Sequence, residues 1–319
     1  MGKNLSSGPF MKGTLYFLSG PTAVGKTELS LRWAESREFP VEILSCDSLQ
    51  VYRGMDIGTA KPSGAELERV PHHGLDLLDP HEPFSVAAYV DYARGTVETL
   101  TAEGKAVLVT GGSGFYLKSF FAPVLDPVEI PEPVTRTVRA LYREQGLGAM
   151  VARIKALNPA GVGDLEVRNP RRVMRALERC LASGKQLPEL QADFRNQPIP
   201  YADYAKRSCL LDRAKEDLEE RIATRTRSML EAGLVEEVDR LRGAGFEANP
   251  SATRSVGYRE CLEWMKNGGG DREALEESIN RATWRLVKKQ RSWFRNQIEA
   301  DRTLLLEPGK PYPAGKLFG

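Results

Sequence analysis

The stretch Leu15–Thr27, LYFLSGPTAVGKT, restricts what this chain can fold into more than any other. A short apolar run leads into Gly20-Pro21-Thr22-Ala23-Val24-Gly25-Lys26-Thr27, and a helix-like segment, ELSLRWAE, follows it. The spacing is G-x4-G-K-T, that of a phosphate-binding loop. Its glycines let the backbone curl until successive N–H groups point at one anion, and the helix starting near Lys26 adds its positive end. Lys26 is placed to reach an outer phosphate and the Thr27 hydroxyl to ligate Mg²⁺. Such a loop commits the chain to a strand–loop–helix unit. It does not say which phosphate compound is held, or whether a phosphoryl group moves.

The rest of the chain repeats that unit. Residues 14–19 read as a buried strand and 26–37 as its helix. A second apolar run, 41–47, ends in Asp47, and functional groups of open α/β sheets collect at such strand ends. Asp47-Ser48-Leu49-Gln50 also reads as a capping box, with a helix to follow. A glycine-rich loop holds Arg53 and Lys61, which singly are more often solvated surface than ligand-facing. Residues 85–103 read as a helix, 106–110 as a strand, and Gly111-Gly-Ser-Gly-Phe-Tyr116 as another strand-to-helix turn. The order β-loop-α three times over predicts a doubly wound parallel sheet of the P-loop kinase kind. Strand 106–110 ends in Thr-Gly-Gly rather than an acid, which speaks against an ATP-hydrolysing motor.

Prolines 123, 127, 131 and 133 then break the pattern, and two helices, 133–156 and 169–183, carry interleaved arginines. A short strand at 208–212 returns to the sheet. On the helix after it Arg221 and Arg225 lie one turn apart, placed to close over a phosphate. Asp217, four residues before Arg221, offers an ordinary ion pair instead, whereas Arg225 has no acid three or four residues away. From Arg281 to Arg295 six positive charges occur without an acid. Arg281, Arg285, Lys288 and Arg295 form a stripe beside Trp284, Val287 and Phe294, a pattern that suits an RNA backbone with splayed bases.

Because the net charge is only +2, a nucleic-acid surface must come from such clustering. Cys46, Cys180, Cys209 and Cys261 are far apart, which fits a reducing compartment and no structural zinc. His72 and His73 are adjacent on one segment and poorly disposed to share a metal. No apolar run approaches the ~18 residues of a membrane span. The leader lacks an apolar signal core. Gly2 and Ser6 fit a loose N-myristoylation pattern, although a disordered leader is the expected reading. At this level a metabolite kinase, a prenyltransferase acting on free adenylate and a non-enzymatic RNA-binding P-loop protein all remain open.

Taken together, GPTAVGKT at 20–27, Cys46-Asp-Ser-Leu-Gln-Val-Tyr52, Gly54-Met-Asp-Ile-Gly-Thr-Ala-Lys-Pro62, Gly111–Tyr116, Arg171–Glu178, Arg221-x3-Arg225 and Arg254-Ser-Val-Gly-Tyr-Arg259 resemble the tRNA dimethylallyltransferase (tRNA isopentenyltransferase) family over about residues 14–296. The resemblance implies an α/β fold: a P-loop kinase-like parallel-sheet core, 12–125 with 206–319, and a mainly α-helical insertion at 126–205 that grips the anticodon stem. It implies transfer of a dimethylallyl group from dimethylallyl diphosphate to N6 of the adenosine 3′ of the anticodon (position 37), in tRNAs reading codons that begin with U.

Residue by residue, the resemblance implies that Gly20, Pro21, Thr22, Ala23, Val24, Gly25, Lys26 and Thr27 hold the donor diphosphate, with Mg²⁺ on Thr27. Asp47 would take the proton of the attacking amine, Arg225 would steady the leaving diphosphate, and Thr22 would lie beside the donor. tRNA contacts are expected from Asp47, Ser48, Leu49 and Gln50; from Ser113; from Arg171, Arg172, Val173, Met174 and Arg175; and from Arg254, Ser255, Val256, Gly257, Tyr258 and Arg259. Ser113 stands where the family usually has threonine, Trp284 where it has arginine, and Lys288-Lys289-Gln290 where it has Lys-Arg-Gln. The absence of a Cys/His finger after 296 implies a bacterial-type member, expected to be a cytoplasmic monomer.

Overall fold

The computed structural model describes residues 12–319, so the Gly2/Ser6 pattern lies outside the described residues. Six strands form one sheet in the order β3-β2-β4-β1-β5-β6, and every pairing is parallel. They are β1 (Thr14–Ser19), β2 (Val41–Ser45), β3 (His72–His73), β4 (Ala106–Gly111), β5 (Ala205–Arg213) and β6 (Arg302–Leu306). The helices between them are α1 (Lys26–Glu35), α2 (Gly64–Arg69), α3 (Val86–Ala102) and α4 (Gly114–Lys118). After β5 come α8 (Lys215–Glu231), α9 (Leu234–Gly243), α10 (Pro250–Thr253), α11 (Tyr258–Lys266) and α12 (Arg272–Gln297), the numbers α5–α7 belonging to the insertion.

Side chains alternate across the central strands, as a sheet buried on both faces requires. Leu18 and Leu108 enter one core with Leu31 and Trp33 of α1, Leu218 and Ile222 of α8, and Val287 of α12. Leu15, Phe17, Val107 and Val109 enter a second core with Tyr89, Ala93 and Val97 of α3, Leu117 of α4, and Phe294. Helix α12 therefore serves both faces from its middle and its end. Gly111 ends β4 where a Cβ would stand 2.1 Å from the Cys46 carbonyl oxygen. Only glycine lets the strand end come this close, and that approach brings the β2 and β4 ends together.

The chain divides into two compact units, one of residues up to Phe121 with Tyr201–Gly319, the other Ala122–Pro200. The second consists of α5 (Glu132–Leu157, interrupted at Gly146), α6 (Pro170–Ser183) and α7 (Leu187–Arg195) around its own core of Val138, Met150, Ile154, Val173 and Leu177. Asn169 caps α6 through Oδ1, which accepts the Arg171 and Arg172 amides, and Pro170 takes the first position.

Two features differ from expectation. No helix follows Asp47: its Oδ1 accepts the Leu49 amide at 2.9 Å in a local turn, and Gln50 instead accepts a bond from the Ser45 hydroxyl at 2.8 Å, so the capping box does not form. Strands β3 and β6 were not foreseen, the first because two residues carry no periodicity, the second because it is a largely exposed edge.

Candidate active site

The phosphate loop is held in a tense form from outside. Ala23 adopts a left-handed φ of 66° and Gly25 one of 105°. Arg221 Nε donates to the Ala23 carbonyl at 2.7 Å and Arg213 Nε to the Val24 carbonyl at 2.8 Å, so two arginines clamp the crown of the loop. Asp217 pairs with Arg213 at 2.7 Å and not with Arg221, which corrects the helix-surface pair expected from spacing. Lys26 Nζ donates to the Gly20 and Pro21 carbonyls at 2.9 and 3.0 Å. Burial lowers its pKa from 10.5 to about 8, with Asp47 opposing the shift and Arg225 adding to it. Above the loop lies a cleft of about 920 Å³, bordered by Thr22, Ala23, Gly25, Lys26, Thr27 and Asp47.

A second cleft of about 600 Å³ opens beside the first. Its walls come from Ser48 and Leu49, from Ser113–Phe115, from 251–259 and from α12. Arg254, Arg285 and Lys289 bring positive charge to it, and none of the three has an ion pair among the described residues. Phe115, 60% exposed, and Trp293, with ring centroids 6.1 Å apart, supply aromatic faces. Five residues line both clefts: Thr22, Asp47, Thr59, Gly112 and Arg225. Arg225 makes no hydrogen bond or ion pair among the described residues. Burial lowers its pKa, and the nearby Asp47 carboxylate opposes that. A half-buried guanidinium held in no salt bridge among the described residues, at the mouth of a phosphate loop, is a ready binding group for an anion.

A family model described as IPP transferase matches residues 50–297. The chain belongs to the IPP transferase family. A tRNA dimethylallyltransferase of Opitutus terrae is 52% identical over 291 residues, spanning 91% of this chain and 92% of that protein. Among solved structures, the full-length tRNA isopentenylpyrophosphate transferase of Bacillus halodurans aligns with a TM-score of 0.64 at 30% identity, covering 92% of this chain and 89% of that one. The tRNA delta(2)-isopentenylpyrophosphate transferase of Staphylococcus epidermidis aligns at 0.62 and 31%, covering 92% and 93%.

In this IPP transferase the expected site residues fall into three groups. Thr22, Asp47 and Arg225 meet where the clefts join. Ser48 and Leu49 line the second cleft, as do Ser113, Arg254, Ser255, Val256, Gly257 and Arg259, whereas Gln50 faces the first. Ser113 Oγ accepts the Ser48 amide at 2.9 Å, so its hydroxyl shapes the Asp47 turn. Arg171, Arg172 and Arg175 are exposed on the separate insertion.

Several expectations need correction. Tyr258 is fully buried, its hydroxyl donating to Glu237 Oε1 at 2.7 Å, and Val173 is fully buried in the insertion core. Neither side chain has surface to offer RNA. Val24 and Pro21 are likewise buried, so they contribute backbone only. In the tail, Val287 and Phe294 are core residues and Trp284 packs against the first core. The aromatics with open surface at the second cleft are therefore Phe115 and Trp293, Phe294 lying beneath them at 1% exposure. Arg291 pairs with Asp212 at 2.7 Å, and Arg281 with Glu277 at 3.0 Å. Lys61 is also spoken for, by Asp56 and Asp76 at 2.6 Å each.

Three residues went unrecognised in the sequence. Gln290 accepts the Thr22 amide at 2.9 Å through Oε1 and donates to the Gly112 carbonyl at 3.1 Å, joining two site turns. Arg213 clamps the phosphate loop. Glu237, 1% exposed, accepts the amides of Asp56, Ile57 and Gly58 at 3.0, 2.7 and 3.1 Å as well as the Tyr258 hydroxyl. A Cβ on Gly58 would lie 2.4 Å from the Tyr258 ring. This clamp holds the loop that presents Thr59 to both clefts.

Proposed function

We propose that this chain is a tRNA dimethylallyltransferase that moves the dimethylallyl group of dimethylallyl diphosphate to N6 of the adenosine 3′ of the anticodon, position 37, in tRNAs reading codons that begin with U. The observation that carries the reading is the sharing of Thr22, Asp47 and Arg225 by a phosphate cleft and a basic, aromatic-lined cleft. The first suits a diphosphate and the second suits an unstacked base with its backbone. Transfer between two ligands needs the reacting atoms at their common border.

The adenine N6 lone pair attacks C1 of the allylic donor while the C1–O bond breaks and its electron pair leaves on the diphosphate. The N6 proton passes to the Asp47 carboxylate, whose side chain borders both clefts and forms no salt bridge among the described residues. The developing charge on the diphosphate falls against the loop amides, Lys26 and Arg225, groups already in place before reaction. Thr22 flanks the donor at the junction. The basic side chains 254, 285 and 289 receive tRNA phosphates, with Arg171, Arg172 and Arg175 of the insertion gripping the stem.

The donor set fits Mg²⁺. Among the described residues no three His, Cys, Asp or Glu side chains cluster as a metal site, while the Thr27 hydroxyl is exposed at the first cleft. Mg²⁺ characteristically takes one or two protein oxygens and completes its shell with water and ligand phosphates. When bound it would neutralise diphosphate charge. No helix among the described residues is long and apolar enough to cross a membrane.

The test is incubation with labelled dimethylallyl diphosphate and either tRNA or AMP. Label in tRNA alone is expected. Label in AMP, or ATP turnover without prenyl transfer, contradicts the assignment.

A further inference from the structure

A hydroxyl at the end of β4 has no task in the scheme above. Thr110 Oγ1 is shut off from solvent and has no hydrogen-bond partner among the described residues. Along β4, Val107 and Val109 enter the core on the α3 side and Leu108 the core on the α1 side. Thr110 therefore leaves the sheet on the α1 side, under the phosphate loop. It stands opposite Leu18 of β1 and Ser45 of β2, and it borders the first cleft together with Lys26 and Thr27. Three other hydroxyls around that cleft are engaged, Ser45 with Gln50 at 2.8 Å, Ser30 with the Thr27 carbonyl at 2.7 Å, and Thr59 with the Met55 carbonyl at 2.7 Å, whereas Thr22 and Thr27 sit on the loop itself.

An unpaired buried hydroxyl is costly, and valine would fill the same volume without that cost. A ligand that supplies the missing acceptor accounts for threonine at this position. We propose that Thr110 is a donor-binding residue whose hydroxyl donates a hydrogen bond to an oxygen of the bound diphosphate, alongside the loop amides and Lys26. This rests on the reading of the first cleft as the diphosphate site. The position ends the strand next to β1, where an acid is missing from this chain, and a neutral donor there suits a polyanionic ligand better than a carboxylate would.

The experiment is calorimetric titration of the full chain with inorganic diphosphate and Mg²⁺, for wild type, Thr110→Val and Thr110→Ser, with thermal unfolding of each ligand-free protein. Thr110→Val is expected to weaken diphosphate binding about tenfold, as loss of one bond to a charged acceptor does. Its free-state Tm should stay level or rise, because an unpaired polar atom has been removed. Thr110→Ser should bind within about twofold of wild type, since it keeps the hydroxyl. Wild-type-like binding by Thr110→Val overturns the assignment and marks the hydroxyl as structural. If wild type itself takes up no diphosphate, the reading of the cleft falls as well, so the two failures are distinct.

Discussion

The two clefts that meet at Asp47 are built by different means. The phosphate cleft is centred on one continuous stretch, Thr22–Thr27, whose crown carbonyls are held by Arg213 and Arg221, while its rim comes from the ends of β2 and β4, from α8 and from 307–311. The second cleft is assembled from side chains of distant segments, 47–49, 113–115, 251–259 and α12. Fixed dipoles suit the stabilisation of charge in a transition state, because they need no reorganisation when the bond breaks. Long basic and aromatic side chains suit a large, irregular polyanion. Changes at the junction should therefore act on rate, and changes deep in the second cleft on binding.

The sharpest break of that division is Arg225→Ala. Loss of a half-buried donor to the leaving group is expected to lower single-turnover prenyl transfer by about 10²–10³-fold with tRNA affinity little changed. Lysine should recover only part of the rate, since a point charge replaces a planar fork. A large loss of tRNA affinity at normal rate would assign Arg225 to the second cleft instead.

Glu237→Ala tests whether the two clefts share a frame. It strands three amides and a buried tyrosine hydroxyl, and should cost about 2–4 kcal/mol in urea unfolding, with Glu237→Gln costing less. Unaltered stability would mean that the 56–58 loop is held by other contacts.

The double change Arg285→Ala with Lys289→Ala should weaken tRNA binding by roughly tenfold at low salt and reduce the salt slope by up to about 2, leaving transfer at saturating tRNA near normal. An unchanged slope would return both side chains to solvent.

The smallest effect is the pH response of the donor side. With Lys26 lowered to about 8, its protonated fraction drops as pH rises through 8. Diphosphate affinity should fall up to about tenfold between pH 7 and 9, as the ammonium is lost. Folding runs the other way: between about 8 and 10.5 the folded chain binds fewer protons than the unfolded one, so this group makes the free protein more stable as pH rises. A flat affinity profile over that range would remove Lys26 from the donor site.

Four strands were legible because each is a continuous apolar run bounded by turn residues, as sheets buried on both faces require. The phosphate loop and the strand-end acid were legible by spacing. What escaped were polar residues on buried helix faces. Gln290 sits three residues after Val287 and four before Phe294, so it shares their inward face, yet within a basic run it read as one more polar residue. Glu237 likewise shares a face with Leu234 and Leu241. A lone polar residue on an apolar stripe was the available signal, and such residues need a partner when buried. The tail aromatics were misread because α12 packs on both cores: the same periodicity that lines up a basic stripe buries Val287 and Phe294. Arg213 gave no signal, since its partner carbonyl lies on a segment remote in sequence.

The claim that the reaction occurs where the two clefts join is tested most directly by Asp47→Asn in a single-turnover assay with labelled dimethylallyl diphosphate and saturating tRNA. The bonding rate should fall by about 10²-fold or more, because asparagine cannot take the N6 proton, while the affinities for diphosphate and tRNA stay within a few-fold of wild type. A near-normal rate with weakened tRNA binding would show that Asp47 merely positions the base, and that the proton leaves by another group.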